Sequence, residues 1–213
     1  MREFDAVIFD LDGVICFTDE YHYQAWKAMA DSIGVPFDRE INNRLRGVSR
    51  MASLEIVLER YDGELTEEEK LAAAEEKNNT YRELLKQMSP ADLSEEVKTT
   101  LDALRAKGLL LGIGSSSKNT KFILSRIGLG DYFDKISDGT NITRSKPDPE
   151  VFLKAAEYLG LEPKDCLVVE DAVAGVQAAH AAGMDAAAVG DAAGSGLAEY
   201  SLKRFSELLD CVD

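Results

Sequence analysis

Two patterns of apolar residues alternate along the chain. Residues 6–9 are a short continuous apolar run, which is typical of a strand buried on both faces of a parallel sheet. From Thr18 to about Met88 the apolar residues recur at helical spacing, without strand-like alternation. After the turn signal at residues 89–92, short apolar runs and amphipathic stretches follow one another again. We therefore predict a unit of strands and helices that is interrupted by an all-helical insert.

The same pattern predicts the individual elements. Strands are predicted at residues 6–9, 109–113, 135–137, 166–169 and 186–189. Helices are predicted at 19–33 (with Thr18 as the N-cap), 50–61 and 67–88 in the insert, and at 119–127, 150–159 and 174–181 after it. This alternation implies an α/β fold with a doubly wound parallel sheet. The core domain is expected at residues 1–15 and 92–213, and the helical domain at 16–91.

The charge of the chain limits its partners. Of the 213 residues, 24 are Lys or Arg and 39 are Asp or Glu, which gives a net charge of −15. Such a chain repels nucleic acid and anionic membranes, and no dense basic cluster offsets the repulsion. Charged residues near the N-terminus do not fit a signal peptide, and no apolar run approaches the roughly 18 residues of a membrane span. Three widely spaced cysteines fit a reducing compartment. We expect a cytoplasmic, monomeric protein with a small-molecule substrate.

Chemically active side chains follow four of the predicted strands. Asp10 and Asp12 follow the first strand, residues 114–119 read GSSSKN after the second, residues 145–149 read SKPDP after the third, and Glu170 and Asp171 follow the fourth. Ligands of open α/β sheets bind beyond the carboxyl ends of the strands, so these segments are expected to meet at one edge.

This combination of groups favours a phosphoryl site. Carboxylates from two strands suit Mg²⁺, which binds through a few carboxylates together with phosphate and water. The serine turn leads into a helix whose first N–H groups favour an anion, and Lys146 adds a positive charge. An aspartate is able to act as the phosphoryl-accepting nucleophile. Taken singly, each motif is more often a turn, a helix cap or a loop lysine. Their order at consecutive strand ends favours the functional interpretation.

The motifs DLDGV (residues 10–14), SSSKN (115–119), SKPDP (145–149) and VED (169–171) resemble the haloacid dehalogenase (HAD) superfamily of aspartate-dependent phosphotransferases. The insert resembles the small helical cap of that superfamily. Within it, EYHYQAWKA (20–28), RLRGVSR (44–50), EKNNTY (76–81) and MSPADL (88–93) resemble the β-phosphoglucomutase branch. The resemblance covers most of the chain and weakens after about Gly190. It implies a HAD-like Rossmannoid core with an inserted cap.

The resemblance also implies roles for the core residues. Asp10 would be the nucleophile and Asp12 the general acid and base. One Mg²⁺ per subunit would be held by Asp10, the backbone carbonyl of Asp12, Glu170 and Asp171. The transferring phosphoryl group would be bound by Ser115, Ser116 and Lys146, with Asn119 close by. A cis peptide bond is expected at Lys146–Pro147.

For the cap, the resemblance assigns the second phosphate of a sugar bisphosphate to Arg50, whose guanidinium fork suits it. The remaining substrate-binding residues implied are Thr18, His22, Trp26, Gly47, Val48, Ser49 and Lys77. Without the resemblance, His22 would be an ordinary half-buried helix residue. Phe17 departs from the family, which usually has an acidic residue there, and residues 138–141 (DGTN) also depart and are given no function.

The activity implied is that of an isomerase which interconverts β-D-glucose 1-phosphate and glucose 6-phosphate. It would proceed through an aspartyl phosphate and a β-glucose 1,6-bisphosphate intermediate, with glucose 1,6-bisphosphate as primer. A Mg²⁺-dependent phosphatase of small sugar phosphates is the first alternative, although it has no need of Arg50 and Lys77. A phosphosugar-binding protein without turnover is the second, and the intact Asp10 and Asp12 argue against it. The sugar and its anomer stay open.

Overall fold

The computed structural model describes residues 3–46 and 48–212, which divide into two compact units. The first unit combines Met1–Phe17 with Ser89–Asp213, and the second is Thr18–Met88. These limits lie a few residues from the predicted domain boundaries at 16 and 92, and the two-domain assignment stays a prediction. No helix among the described residues is both long and apolar enough to cross a membrane.

The first unit is built on a six-stranded parallel sheet. Its strands are β1 (Ala6–Phe9), β2 (Leu110–Gly114), β3 (Lys135–Ser137), β4 (Cys166–Glu170), β5 (Asp185–Ala188) and β6 (Tyr200–Ser201). Their order is β3-β2-β1-β4-β5-β6, and every neighbouring pair is parallel. The predicted doubly wound α/β fold is therefore confirmed.

Register brings the carboxyl ends of the central strands together. Phe9, the last residue of β1, pairs with Ile113 on one side and with Val169 on the other. Gly114 pairs with Ser137 at the end of β3. The residues that follow these positions therefore lie at one edge of the sheet, as the sequence predicts.

Helices α5 (Glu95–Ala106), α6 (Thr120–Arg126), α7 (Glu150–Leu159), α8 (Val173–Ala181) and α9 (Gly190–Ala193) belong to the first unit. Ile8 and Val168 of the sheet pack with Phe152 of α7 and with Val176 of α8 in one buried core. The alanine-rich stretch from α8 to β5 also lies in this core, where small side chains let helix and strand approach closely.

The second unit contains only helices among its described residues. They are α1 (Asp19–Ser32), α2 (Arg39–Arg44), α3 (Arg50–Leu58) and α4 (Glu67–Leu85). Trp26 and Met29 of α1 pack in a buried core with Leu54 of α3 and Ala74 of α4. The start of α4 is a capping box, in which the hydroxyl and N–H of Thr66 exchange hydrogen bonds with Glu69. The all-helical insert is therefore confirmed.

The predicted elements differ from the observed ones at their ends, by one residue at strands β2, β4 and β5 and by up to three residues at the helices. Strands β1 and β3 and helix α7 have the predicted bounds. Helices α3 and α4 end at Leu58 and Leu85, earlier than predicted, and Thr18 holds the N-cap position of α1 without a capping hydrogen bond from its side chain. Helices α2, α5 and α9 and strand β6 are not among the predicted elements.

Candidate active site

A tight turn after β1 carries the two aspartates of the first motif. The N–H of Asp10 donates to the Val169 carbonyl of β4 at 2.9 Å, which fixes Asp10 at the sheet edge. Gly13 follows with a positive φ of 85°, and a Cβ at this position would overlap the Asp171 carboxylate. A glycine at position 13 is therefore required for two reasons: its backbone has a positive φ, and the Asp171 carboxylate occupies the space of a side chain.

Three carboxylates form a cluster at this edge, and we call it the carboxylate cluster. One oxygen from each of Asp10, Glu170 and Asp171 lies within 4.8 Å of the others. Lys146 Nζ donates to Asp10 Oδ1 at 2.5 Å and also to Glu170 Oε1. The second Glu170 oxygen accepts hydrogen bonds from the N–H groups of Asp171 and Ala172, at 3.0 and 3.1 Å. The structure thus brings together four of the predicted site residues.

Burial and neighbouring charges together shift the pKa values of Asp10 and Lys146. Burial raises the pKa of Asp10 well above its usual range; Lys146 acts against this rise, and the neighbouring carboxylates of Glu170, Asp171 and Asp12 add to it. Burial alone would lower the pKa of Lys146, but Asp10 and Glu170 outweigh it and raise that pKa. The two carboxylates therefore favour the charged form of Lys146, although only 3% of its side chain is exposed.

The donor set of the carboxylate cluster fits Mg²⁺. All three groups offer oxygen, the ligand atom that this hard cation prefers, and they converge from the ends of two adjacent strands. Asp10, Glu170 and Asp171 would hold the ion. The Asp12 carboxylate is not part of the cluster, and the predicted ligand atom of Asp12 is its backbone carbonyl, which stays a prediction.

The serine loop, residues 115–117, follows β2. The N–H of Ser115 donates to the Ser137 carbonyl at 3.1 Å, and the N–H of Ser117 donates to Ser115 Oγ at 3.2 Å. Ser116 Oγ is buried and has no hydrogen-bond partner among the described residues. Asn119 is at the N-cap position of α6 without a capping bond from its side chain. A buried unpaired hydroxyl is costly, and a bound acceptor such as a phosphoryl oxygen would satisfy it.

The loop that carries Lys146 has a further anchor, Glu150. The Lys146–Pro147 bond is cis, as predicted. Glu150 Oε2 accepts hydrogen bonds from the N–H groups of Thr143 and Arg144, at 2.9 and 2.8 Å, and these bonds lower the pKa of Glu150 to about 2. The sequence predicts Glu150 only as the first residue of a helix, and its bonds to the Thr143 and Arg144 N–H groups depend on the fold of the loop.

In the second unit, four predicted substrate residues form one packed group with Tyr81. His22 stacks on the Tyr81 ring at 4.1 Å, and Lys77 Nζ lies 3.0 Å from His22 Nδ1. Lys77 is buried and its ammonium lies over the rings of Trp26 and Tyr81, at 4.9 and 4.5 Å. Tyr81 also donates to Thr18 Oγ1 at 3.1 Å. Tyr81 is the organising residue that sequence reasoning missed, since a helix tyrosine at an apolar position gives no signal of its own.

This group keeps His22 neutral. Burial lowers the pKa of His22 well below its usual range, and the positive charges of Lys77 and Arg50 lower it further. A neutral imidazole accepts a hydrogen bond at one ring nitrogen, which suits the ammonium of Lys77 as donor.

Arg50 begins α3 and is held by α4. Its Nη2 donates to Asn78 Oδ1 at 2.8 Å, its Nη1 lies 3.5 Å from Glu75 Oε2, and partial burial lowers its pKa. The Ser49 hydroxyl caps the N-terminus of α3 by accepting a hydrogen bond from the Ala52 N–H at 3.4 Å. Val48 closes the turn before α3 through its N–H to the Leu45 carbonyl. Gly47 lies outside the described residues.

The chain is similar in sequence and structure to known enzymes that act on sugar phosphates. The chain is 44% identical to the β-phosphoglucomutase of Bacillus subtilis (strain 168) over 87% of this chain and 83% of that protein. It is 32% identical to a phosphorylated carbohydrates phosphatase of Thermotoga maritima, over 85% and 82%. The crystal structure of β-phosphoglucomutase from Clostridium difficile superposes with a TM-score of 0.89 at 37% identity, covering 96% of this chain and 93% of that one.

The family comparison rests on most of the chain and confirms the resemblance read from the four core motifs. The family model described as haloacid dehalogenase-like hydrolase matches residues 4–183, which include the carboxylate cluster, the serine loop, Lys146 and the whole second unit. The chain belongs to the haloacid dehalogenase-like hydrolase family.

Proposed function

We propose that the chain is a Mg²⁺-dependent mutase that interconverts β-D-glucose 1-phosphate and glucose 6-phosphate. The core site supports phosphoryl transfer in general. The observation that carries the mutase in particular is Arg50, a partly buried guanidinium held by Asn78 on a unit that also buries Lys77. Two such cations in a chain of net charge −15 indicate a second anion site, which a bisphosphate intermediate requires. The 44% identity to a β-phosphoglucomutase agrees with this proposal.

The chemistry at the core would proceed at Asp10. One Asp10 oxygen attacks phosphorus and forms the aspartyl phosphate, while the sugar oxygen leaves and takes a proton from Asp12. Lys146, paired with Asp10 in the structure, turns its charge toward the phosphoryl oxygens, and Ser116 donates its hydroxyl. Bound Mg²⁺ would supply further positive charge to the phosphoryl group. The reverse transfer to the other sugar hydroxyl uses Asp12 as the base.

The mutase cycle needs a primer and a second set of contacts. Glucose 1,6-bisphosphate would phosphorylate Asp10 at the start, and β-glucose 1,6-bisphosphate would form, reorient and react again. We assign the distal phosphate to Arg50, and the sugar contacts to Lys77, His22, Trp26, Thr18, Gly47, Val48 and Ser49. Ser115 and Asn119 would complete the phosphoryl site beside Ser116. One Mg²⁺ per chain, a monomeric state and a cytoplasmic location belong to the same proposal.

A phosphatase of small sugar phosphates is the second candidate. The similarity to a phosphorylated carbohydrates phosphatase favours it, and the carboxylate cluster would serve it equally well. In that case water, rather than a sugar hydroxyl, would attack the aspartyl phosphate. The two candidates therefore differ in the acceptor of the phosphoryl group and in the need for Arg50.

One coupled assay separates the candidates. The protein is incubated with Mg²⁺, β-glucose 1-phosphate and a trace of glucose 1,6-bisphosphate, and glucose 6-phosphate and free phosphate are measured in parallel. The mutase predicts fast glucose 6-phosphate with little free phosphate, no turnover of the α anomer, and loss of activity in Asp10→Asn but not in the exposed control Asp131→Asn. Free phosphate without glucose 6-phosphate would refute the mutase and support the phosphatase.

A further inference from the structure

The turn of residues 138–141 (DGTN), which follows β3, is bonded to the serine loop. The last pair of the β2–β3 ladder is Gly114 with Ser137, and backbone hydrogen bonds continue beyond it. Ser115 N–H donates to the Ser137 carbonyl at 3.1 Å, and Gly139 N–H donates to the Ser117 carbonyl at 3.1 Å. Two loops at the sheet edge are thus joined through their main chains.

Gly139 is where the two loops come closest. A Cβ at this position would overlap the Ser116 carbonyl oxygen and would lie 2.9 Å from Lys118 N and 2.9 Å from Ser117 C. These are backbone atoms, so no side-chain rotation would relieve the overlap. Gly139 is not among the glycines with positive φ, and the requirement is therefore for space rather than for an unusual backbone conformation.

The turn is rigid because its own side chains close it. Asp138 is buried, with 1% of its surface exposed, and its Oδ1 accepts from the N–H of Thr140 at 2.8 Å and from its hydroxyl at 2.5 Å. The Asp138 N–H donates to Asn141 Oδ1 at 2.6 Å, and Asn141 Nδ2 donates to Ser137 Oγ at 3.0 Å. The side chains of Asp138 and Asn141 therefore fix both sides of the turn through hydrogen bonds.

The position of the serine loop matters because Ser116 Oγ is buried without a partner among the described residues. A hydroxyl that must bond a phosphoryl oxygen needs heavy-atom distances within a few tenths of an ångström, and such sites rely on supporting contacts. We infer that Asp138 and Gly139 are positioning residues, which hold the serine loop at the place where it binds the transferring phosphoryl group. This inference rests on the proposed phosphoryl chemistry at Asp10, but not on whether the acceptor is a sugar or water.

The test compares two glycine substitutions. Gly139→Ala introduces the overlap, whereas Gly130→Ala is the matched control, since its nearest neighbour would be Ser125 Cα at 3.7 Å and it too lacks a positive φ. The probe is orthovanadate, a phosphoryl analogue, and its binding in the presence of Mg²⁺ is measured by calorimetry without any sugar. Mg²⁺ binding alone and thermal unfolding are measured on the same samples.

We expect Gly139→Ala to weaken orthovanadate binding by about 10- to 100-fold, the effect of losing one donor to a charged oxygen. Its Mg²⁺ affinity should stay within about twofold of wild type, because the carboxylate cluster lies on other loops. Unchanged orthovanadate binding would overturn the inference, and so would an equal loss of Mg²⁺ binding, which would indicate general damage to the site.

Asp138 provides an independent variant pair if Gly139→Ala does not fold. Asp138→Asn keeps an oxygen at the acceptor position and should retain orthovanadate affinity, whereas Asp138→Ala removes it and should lose affinity. Equal affinities in the two variants would overturn the inference. A wild-type protein that binds orthovanadate but makes no glucose 6-phosphate would refute the proposed mutase alone, and the comparison of loop variants would remain valid.

Discussion

Gly175 lies in the first turn of α8, against the carboxylate of Glu170, and its substitution tests how the carboxylate cluster is held. Replacing a helix glycine by alanine normally stabilises a protein by about 1 kcal/mol. Here a Cβ would overlap the Glu170 Cδ and both of its carboxylate oxygens. We predict that Gly175→Ala displaces this carboxylate and weakens Mg²⁺ binding, although helix propensity alone would predict a benefit.

The magnitude follows from the bonds that Glu170 makes. One Glu170 oxygen accepts from the N–H groups of Asp171 and Ala172 at 3.0 and 3.1 Å, and the other pairs with Lys146. Relieving the overlap breaks at least one hydrogen bond to a charged group, which contributes about 1.5–3 kcal/mol. Since each 1.4 kcal/mol is about tenfold in an equilibrium constant, we expect Mg²⁺ affinity to fall by about 10- to 100-fold.

The assay is a Mg²⁺ titration of turnover, repeated by calorimetry without substrate. The control is again Gly130→Ala, at which a Cβ would meet nothing closer than 3.7 Å. The expected result is a raised activation constant for Mg²⁺ in Gly175→Ala, with kcat largely recovered at saturating Mg²⁺. A wild-type activation constant in Gly175→Ala would refute the reasoning, because it would mean that Glu170 adjusts without loss or does not contribute to the metal site.

Three further predictions concern the second unit and the metal. Asn78→Ala should release Arg50 and shift the products from glucose 6-phosphate towards free phosphate by about tenfold. Substitution of the exposed neighbour, Asn79→Ala, should leave the product ratio unchanged, and a parallel assay of both products measures this. The pKa of His22 is lower in the folded protein than in the unfolded chain, so the unfolded chain is protonated at a higher pH. The free energy of unfolding should therefore fall as the pH drops below about 6.5, by up to about 1.4 kcal/mol per pH unit. Urea titrations at several pH values measure this dependence of the unfolding free energy on pH. His22→Gln should weaken the dependence, and His180→Gln is the control. An unchanged pH dependence in His22→Gln would contradict its attribution to His22. Chelation of Mg²⁺ should abolish turnover yet leave the far-UV circular dichroism spectrum unchanged, since the carboxylate cluster keeps its ammonium partner; unfolding on chelation would contradict this.

The parallel sheet could be predicted because its strands carry continuous apolar runs. Residues 6–9 and 166–169 are such runs and are bounded by polar residues; β1 has those limits, and β4 extends by one residue to Glu170. Helix α2 was missed because its six residues are too few for helical periodicity to show, and its start depends on the cap from Asp38. Helix α5 does have a sequence signal, since Ser94 precedes two glutamates and an apolar face at helical spacing.

The charged residues of the site could be predicted for a related reason. In a parallel sheet, chain order fixes which loops share an edge, so Asp10, Lys146 and Glu170 could be grouped before any contact was known. Residues whose role depends on a neighbour distant in the sequence could not be predicted in this way. Gly139 and Gly175 matter only because another backbone or a carboxylate occupies the volume of a side chain, and no local pattern contains that information. Asn78 likewise depends on the approach of α3 to α4.

Local charge explains how an acidic protein is suited to an anionic substrate. The carboxylate cluster and Lys146 together carry three negative charges and one positive, a net charge of −2 when all are ionised. Crowded buried carboxylates oppose ionisation, which is why the pKa of Asp10 is raised. One divalent cation has the charge that neutralises this set, and it would lower the pKa of Asp10 and favour the nucleophilic carboxylate. A phosphoryl group would then meet a locally neutral site that contains the Lys146 ammonium, rather than the negative charge of the whole chain. The same four side chains would therefore suit both a divalent metal and, once it is bound, a phosphate in a chain of net charge −15.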